Sequence, residues 1–130
     1  SIPIKPNLSV QVDGGKVELS KGDPYAIIKC IDESSFQIST INDELKISLE
    51  GCVAKISYPP LNSFRGELDG GIFRINDSIS NFSVEIDGGT FHMDADNVVN
   101  GRIELDGGIF HCKLKYARED LLNVEINGRA

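Results

Sequence analysis

Acidic residues recur in pairs along the second half of the chain, and their spacing suits the binding of cations. Each pair is a Glu and an Asp separated by one residue: Glu67 and Asp69, Glu85 and Asp87, Glu104 and Asp106. Hard cations such as Ca²⁺ take several carboxylate oxygens as ligands, so stacked pairs could bind a cation or a basic partner. Alternatively, each Asp accepts backbone hydrogen bonds at a turn while each Glu points into water. Both interpretations require a fold that brings the pairs together.

The acidic pairs belong to a repeat that runs through the whole chain. The segment Asp69-Gly70-Gly71-Ile72-Phe73 recurs at 87–91 and 106–110, with a less regular copy at 13–17. Degenerate copies begin at Asp32 and Glu50, and Asn127 opens a seventh. The steps between these anchor residues are 19, 18, 19, 18, 19 and 21 residues. A nearly constant period is the signature of a repetitive architecture.

The pattern around each anchor predicts strands. Apolar residues alternate with polar ones on both sides of it, which is the periodicity of a strand. An Asp-Gly turn between two such runs could instead close hairpins of an antiparallel meander. The rest of each unit varies in composition, which favours a loop-like third side of a coil. We therefore predict one all-β domain over residues 1–130, a right-handed parallel β-helix (solenoid) of about seven coils of 18–21 residues.

Three columns of equivalent residues are expected to be buried in this stack. The column before the anchor contains Val12, Ile31, Leu49, Leu68, Ile86, Leu105 and Ile126. The column four residues after the anchor contains Val17, Phe36, Ala54, Phe73, Phe91 and Phe110. The column six residues after it contains Leu19, Ile38, Ile56, Ile75, Met93 and Cys112. The phenylalanines are therefore predicted to be core residues and not a ligand-binding strip.

The positions of cysteine and histidine argue against a disulfide and against a metal centre. Cys30 and Cys52 fall in different columns, and Cys112 is expected to act as a small buried residue. An odd number of free cysteines slightly favours a reducing compartment such as the cytoplasm. His92 and His111 share an outward column, but two imidazoles without a third ligand make a weak metal site. We predict no metal and no cofactor.

Apolar residues at outward positions and at one chain end predict self-association. The candidates are Val53, Ile72, Ile109, Leu122, Val124 and Ile126. The first three share the column three residues after the anchor, where exposed β-branched side chains favour lateral packing. The other three lie in a segment that stops partway through a coil with no capping element after it, which predicts an unpaired edge. We therefore expect a homo-oligomer.

Charge and composition exclude several classes of partner. The chain has 20 Asp and Glu against 13 Lys and Arg, and its formal net charge of −7 disfavours binding to nucleic acid. No apolar run approaches the roughly 20 residues of a membrane-spanning helix, so membrane insertion is not expected. No phosphate loop or dinucleotide fingerprint occurs, because the Gly-Gly pairs lead into strands. A glycan or a basic protein remains a possible partner for the acidic residues.

The Asp-Gly-Gly-x-Phe repeats resemble the adhesin-type β-solenoid repeats of bacterial and archaeal proteins of unknown function. The chain is also similar to polymerising solenoids of the bactofilin type in coil length, although its Asp-Gly-Gly corners depart from their pattern. The first resemblance implies a cell-envelope location and supplies no functional residues. We predict a non-catalytic structural or interaction module. The alternatives are a glycan- or cation-binding module that uses the acidic residues and, more remotely, a carbohydrate-active enzyme.

Overall fold

Strands joined by turns and short loops make up the part of the chain whose structure is described. The computed structural model describes residues 6–32, 35–59, 61–76, 79–95, 98–115 and 122–126, and for 79–80, 98–99 and 122–126 it describes the backbone only. The strands are β1 (Asn7–Lys21), β2 (Tyr25–Lys29), β3 (Phe36–Ile41), β4 (Glu44–Tyr58), β5 (Ser63–Ile75), β6 (Ile79–Ile86), β7 (Thr90–Ala95), β8 (Val98–Leu105), β9 (Ile109–Leu114) and β10 (Leu122–Ile126). Within these ranges no helix is long and apolar enough to cross a membrane. The all-β prediction is confirmed.

Most strands run parallel in one large, open sheet. Its order is β10-β8-β6-β5-β1-β4-β2, while β7 pairs with β5 and β9, and β3 pairs with β4. Only β2 and β3 run antiparallel to their described neighbour, β4. The strands on either side of Gly88-Gly89 do not pair with each other, since β6 pairs with β5 and β8 whereas β7 pairs with β5 and β9. The hairpin alternative is therefore wrong at this repeat.

A column of glycines allows the corners of successive repeats to stack. Gly15, Gly71, Gly89 and Gly108 have φ between 84° and 93°, a region that residues with a Cβ rarely adopt. A Cβ on Gly89 would lie 2.5 Å from the carbonyl oxygen of Gly71, and a Cβ on Gly71 would lie equally close to that of Gly15. The second glycine of Asp-Gly-Gly is therefore required both by backbone conformation and by the approach of the next repeat.

The degenerate repeat at Asp32 does not form the parallel coil that its spacing predicted. It has Glu33 and Ser34 where the regular copies have their two glycines, whereas the repeat at Glu50 keeps the first glycine as Gly51 and pairs in parallel with β1. β1 instead pairs directly with β4, and β2 and β3 lie antiparallel along the other edge of β4. Ile31 is fully exposed and Ile38 is 36% exposed, so the prediction that they are buried is wrong.

The regular repeats bury the predicted columns. Among the residues before the anchor, Val12, Leu68 and Ile86 are 0% exposed. Phe73 and Phe91 are fully buried and pair in parallel register with their ring centroids 5.3 Å apart. These contacts confirm the core that the repeat predicted on both sides of the corner.

The last described strand after a corner, β9, departs from this pattern. Phe110 packs 5.6 Å from Phe91 but is only half-buried. Cys112 is exposed, so the prediction that it is a buried residue is wrong. Both residues lie on β9, whose neighbour in the described part of the chain is β7 alone. A residue of these columns is therefore fully buried only where its strand has a neighbouring strand on each side.

A short ladder of asparagines, which the sequence analysis missed, shapes the strands before the corner. Asn81 and Asn100 have φ of 51° and 54°, a conformation that asparagine tolerates better than most residues. The Nδ2 of Asn100 donates to the Oδ1 of Asn81 over 3.1 Å, and the Nδ2 of Asn81 donates to the carbonyl oxygen of Asn62 over 3.2 Å. The sequence could have predicted this ladder, because successive asparagines in it are 19 residues apart.

Candidate functional site

Glu67, Glu85 and Glu104 lie side by side on β5, β6 and β8. Of the three paired aspartates, Asp69 lies within β5, and Asp87 and Asp106 come directly after the ends of β6 and β8; we call these six acids the acidic strip. Glu67, Glu85 and Glu104 are direct register partners on these three strands. In each pair, one buried residue separates the glutamate from the aspartate. The backbone N–H of Asp87 donates to the carbonyl oxygen of Leu68 over 2.8 Å, which fixes where the aspartate leaves the strand. The predicted juxtaposition of the acids is therefore what the fold produces.

The carboxylates of the acidic strip are close enough to influence one another. Oxygen atoms of Glu67, Glu85 and Asp87 lie within 4.8 Å of one another, and so do those of Glu85, Glu104 and Asp106. Like charges at such distances repel, and stacked like charges destabilise a sheet. A bound cation, a basic partner or protonation would therefore reduce this repulsion and stabilise the folded chain.

Protonation is favoured most at the centre of the strip. Partial desolvation, the hydrogen bond with Asp106 and the charge of Glu85 raise the pKa of Asp87 to about 6, and Asp69 also hydrogen-bonds to it. In these hydrogen bonds a protonated carboxyl donates to a neighbouring carboxylate. Desolvation, followed by the charges of Glu104 and Glu67, raises the pKa of Glu85 as well. Asp87 and Glu85 therefore have pKa values above those of isolated carboxyl groups.

Two arginines beside the acidic strip were not singled out by the sequence analysis. Arg65 and Arg102 lie two residues before the glutamates of their strands, and Ser83 is the register partner between them. Together with the three glutamates they line a depression of about 380 Å³. The sequence could have identified these two arginines, because both lie four residues before the anchor of their repeat. The face therefore offers both donors and acceptors to a polar ligand.

A second outward column, after the corner, carries positive and titratable groups. Arg74, His92 and His111 are register partners on β5, β7 and β9. The two imidazole rings stack with centroids 4.9 Å apart and an angle of 14° between planes. Burial and then the charges of Arg74 and His111 lower the pKa of His92. No described His, Cys, Asp or Glu completes a three-ligand group with this pair.

The residues predicted to mediate self-association are exposed where their side chains are described. Val53, Ile72 and Ile109 are 55%, 40% and 53% exposed. Their column is interrupted in register by Lys16 and Thr90, so the three do not form a continuous apolar row. The backbone of 122–126 forms β10 beside β8. The side chains of the other three candidates, Leu122, Val124 and Ile126, lie outside the described part.

A disulfide joins Cys30 to Cys52, contrary to the prediction from the repeat. The two Cα atoms lie 4.5 Å apart. The antiparallel pairing of Lys29 with Val53 brings the cysteines opposite each other, whereas a parallel coil would have separated them. Cys112 is the remaining free cysteine. The chain therefore keeps one unpaired thiol, so the expectation of a reducing compartment, which was based on an odd free cysteine, stays a prediction.

The chain was compared with protein families and with curated proteins. No protein-family model matches it, and no curated protein matches it. The resemblance to adhesin-type repeats accordingly stays a prediction from the Asp-Gly-Gly pattern. The assignment of a function depends on the geometry of the strands and of the outer faces described above.

Proposed function

We propose that the chain is a right-handed parallel β-helix that serves as a non-catalytic structural or interaction module and associates with itself. The observation that carries this proposal is the parallel pairing of successive repeats both before and after the glycine corner. The register partners are Leu68, Ile86 and Leu105 before it and Phe73, Phe91 and Phe110 after it. Parallel neighbours need a crossover of about a dozen residues or more. The 18 or 19 residues of each repeat are long enough to supply it.

The outer surface favours partner binding over catalysis. General acid–base catalysis uses an acid and a base whose environments separate their pKa values. In the strip the strongly raised pKa belongs to Asp87 and results from desolvation and from neighbouring carboxyl groups, and the depression beside the strip is lined by charged groups of successive repeats. A surface of this kind suits an extended partner such as a glycan or a basic protein segment.

Light scattering on the purified chain tests self-association. We expect a mass above the 14.2 kDa of one chain at high micromolar concentration. A single 14.2 kDa species at every concentration would refute this part of the proposal. The parallel β-helix is tested separately by the crystal structure, in which antiparallel pairing of Phe73 with Phe91 would contradict it.

Cation binding by the acidic strip is a second candidate function, which the two groups of carboxylates within 4.8 Å favour. We expect at most weak binding, so that millimolar Ca²⁺ raises the melting temperature by about a degree or less. A larger rise that is lost when Glu85→Gln is combined with Glu104→Gln would instead establish the strip as a cation site. Asp43→Asn, which removes an exposed acid from a distant turn, is the matched control.

A further inference from the structure

The end of the sheet opposite β10 is formed by β2 and β3, which lie along one edge of β4. β3 pairs through all six of its residues with Glu44–Leu49 of β4. No other strand in the described ranges pairs with β3. The backbone groups on its outer edge are therefore not used by the described sheet, and an edge of this kind is a template for a further strand.

β3 lacks the features that usually protect such an edge. Natural edge strands carry charged residues, proline or bulges that prevent pairing with another chain. The sequence Phe36-Gln37-Ile38-Ser39-Thr40-Ile41 contains no charge, no proline and no glycine, and its register with β4 is uninterrupted. Short uncharged segments rich in β-forming residues are those that add to further copies of themselves. β3 is thus suited to receive another strand.

The other strands with a single described neighbour, β2, β9 and β10, are better protected, and β10 carries the charged residue Glu125. β2 ends at Lys29 and begins directly after Pro24. β9 carries His111 and Lys113, both exposed. Charged residues and proline oppose edge pairing. This contrast makes β3, and not β2, β9 or β10, the edge at which association is expected.

Apolar side chains are also exposed at this end of the sheet. Their exposed fractions are 41% for Tyr25, 47% for Ile27, 100% for Ile31, 36% for Ile38 and 59% for Ile41. At about 150–250 Å² for a large side chain, they expose on the order of 500 Å². This is more than half of the roughly 800 Å² that each partner buries in a standard interface. The backbone and remaining side chains of β3 can supply the rest.

We propose that β3 pairs with β3 of a second copy of this chain, antiparallel and about a two-fold axis. A two-fold axis perpendicular to the strand brings the same surface of both copies together and makes the strand antiparallel to its own copy. Because β3 is already antiparallel to β4, the added strand continues the same type of pairing. Each copy has a net charge of −7, so an uncharged strand lets two copies approach with the least repulsion. This interface rests on the proposed self-association and specifies its surface.

The test combines light scattering with two charge substitutions. We expect the wild-type chain to be a dimer at high micromolar concentration. Ser39→Lys should raise the dimer dissociation constant at least tenfold, because it places a charge on the paired edge. Ile72→Lys introduces the same charge on the outer face of β5 and should leave the dissociation constant unchanged. Circular dichroism should verify that both variants keep the fold.

Hydrogen exchange on the wild-type chain provides a second readout that needs no variant. Backbone amides of β3 should become less protected on dilution below the dissociation constant, while those of β5 remain protected. A dimer weakened by Ile72→Lys but not by Ser39→Lys would overturn the β3 interface and leave self-association intact. A monomer at every concentration would refute both. An open polymer would refute the closed two-fold pairing.

Discussion

The stability of the stack should depend most on a phenylalanine that has an aromatic neighbour on each side. Phe91 is 0% exposed, and its ring lies 5.3 Å from that of Phe73 and 5.6 Å from that of Phe110. A buried aromatic ring removes about 150–250 Å² from water, which at about 25 cal/mol per Å² gives an upper estimate of roughly 4–6 kcal/mol. Large-to-small changes in packed cores cost about 3–5 kcal/mol. We expect Phe91→Ala to lower the free energy of unfolding by about 4 kcal/mol.

Urea denaturation followed by circular dichroism measures this change. The denaturation midpoint should fall while the slope of the transition stays constant. Phe110→Ala is the matched control, because Phe110 occupies the same column but is half-buried on β9. Its loss should cost about half as much, by the dependence of the free energy on buried area. If Phe91→Ala destabilises no more than Phe110→Ala does, the burial of the column does not stabilise the stack as argued.

Three further predictions concern the acidic strip, the disulfide and the glycine corner. The raised pKa of Asp87 means that the folded chain binds the proton of this carboxyl group more tightly than the unfolded chain does. The protonated carboxyl group therefore contributes most to stability below about pH 4, and this contribution is lost as the pH rises through about 6. Asp87→Asn should reduce this loss of stability, measured by denaturation at a series of pH values. Cys30→Ser should lower the free energy of unfolding by about 3 kcal/mol, since the bond to Cys52 closes a loop with a sequence separation of 22. Gly89→Ala should cost about 3 kcal/mol or more in the same assay, because its Cβ meets the backbone of Gly71.

Each of these predictions has a control in the same chain. Asp43→Asn removes an acid from outside the strip and should leave the decline between pH 4 and 6 unchanged. A reducing agent should destabilise the wild-type chain but not Cys30→Ser. Gly51 has φ of 68° with nothing within 4 Å of an added Cβ, so Gly51→Ala should cost only about 1–2 kcal/mol. Equal effects of Gly89→Ala and Gly51→Ala would show that the close approach of the corners does not matter.

The parallel register of the second half could be predicted because local and long-range requirements coincide there. The period of 18 or 19 residues places Phe73 next to Phe91, and the alternation around each corner separates buried from outward residues. The second glycine satisfies the positive φ and the close approach of the next repeat at one position. The acidic strip follows from the same register. Its placement therefore required no information beyond the repeat.

The path of residues 22–43 could not be predicted from the same period. Strand alternation is the same for parallel and antiparallel pairing, so the pattern around Ile38 does not reveal the direction of β3. That direction depends on pairing with β4, whose residues follow later in the chain. The disulfide between Cys30 and Cys52 was missed for the same reason, because the two cysteines meet only in the antiparallel arrangement. The absence of both corner glycines, which are replaced by Glu33 and Ser34, was the available warning.

The fold itself does not require the acidic strip, and this makes the strip the most informative surface for function. The glycine corner and the buried columns constrain inward positions and backbone conformation, but the column three residues after the anchor varies freely from Lys16 to Ile72 to Thr90. A column two residues before the anchor could vary in the same way, as Gln11 does in β1. Desolvation, followed by repulsion from the two neighbouring glutamates of this column, raises the pKa of Glu85, and the three glutamates do not contribute to the core. This repulsion on a surface that tolerates variation is the reason for proposing that a basic partner or a cation binds the strip, and the combined Glu85→Gln and Glu104→Gln variant tests that proposal.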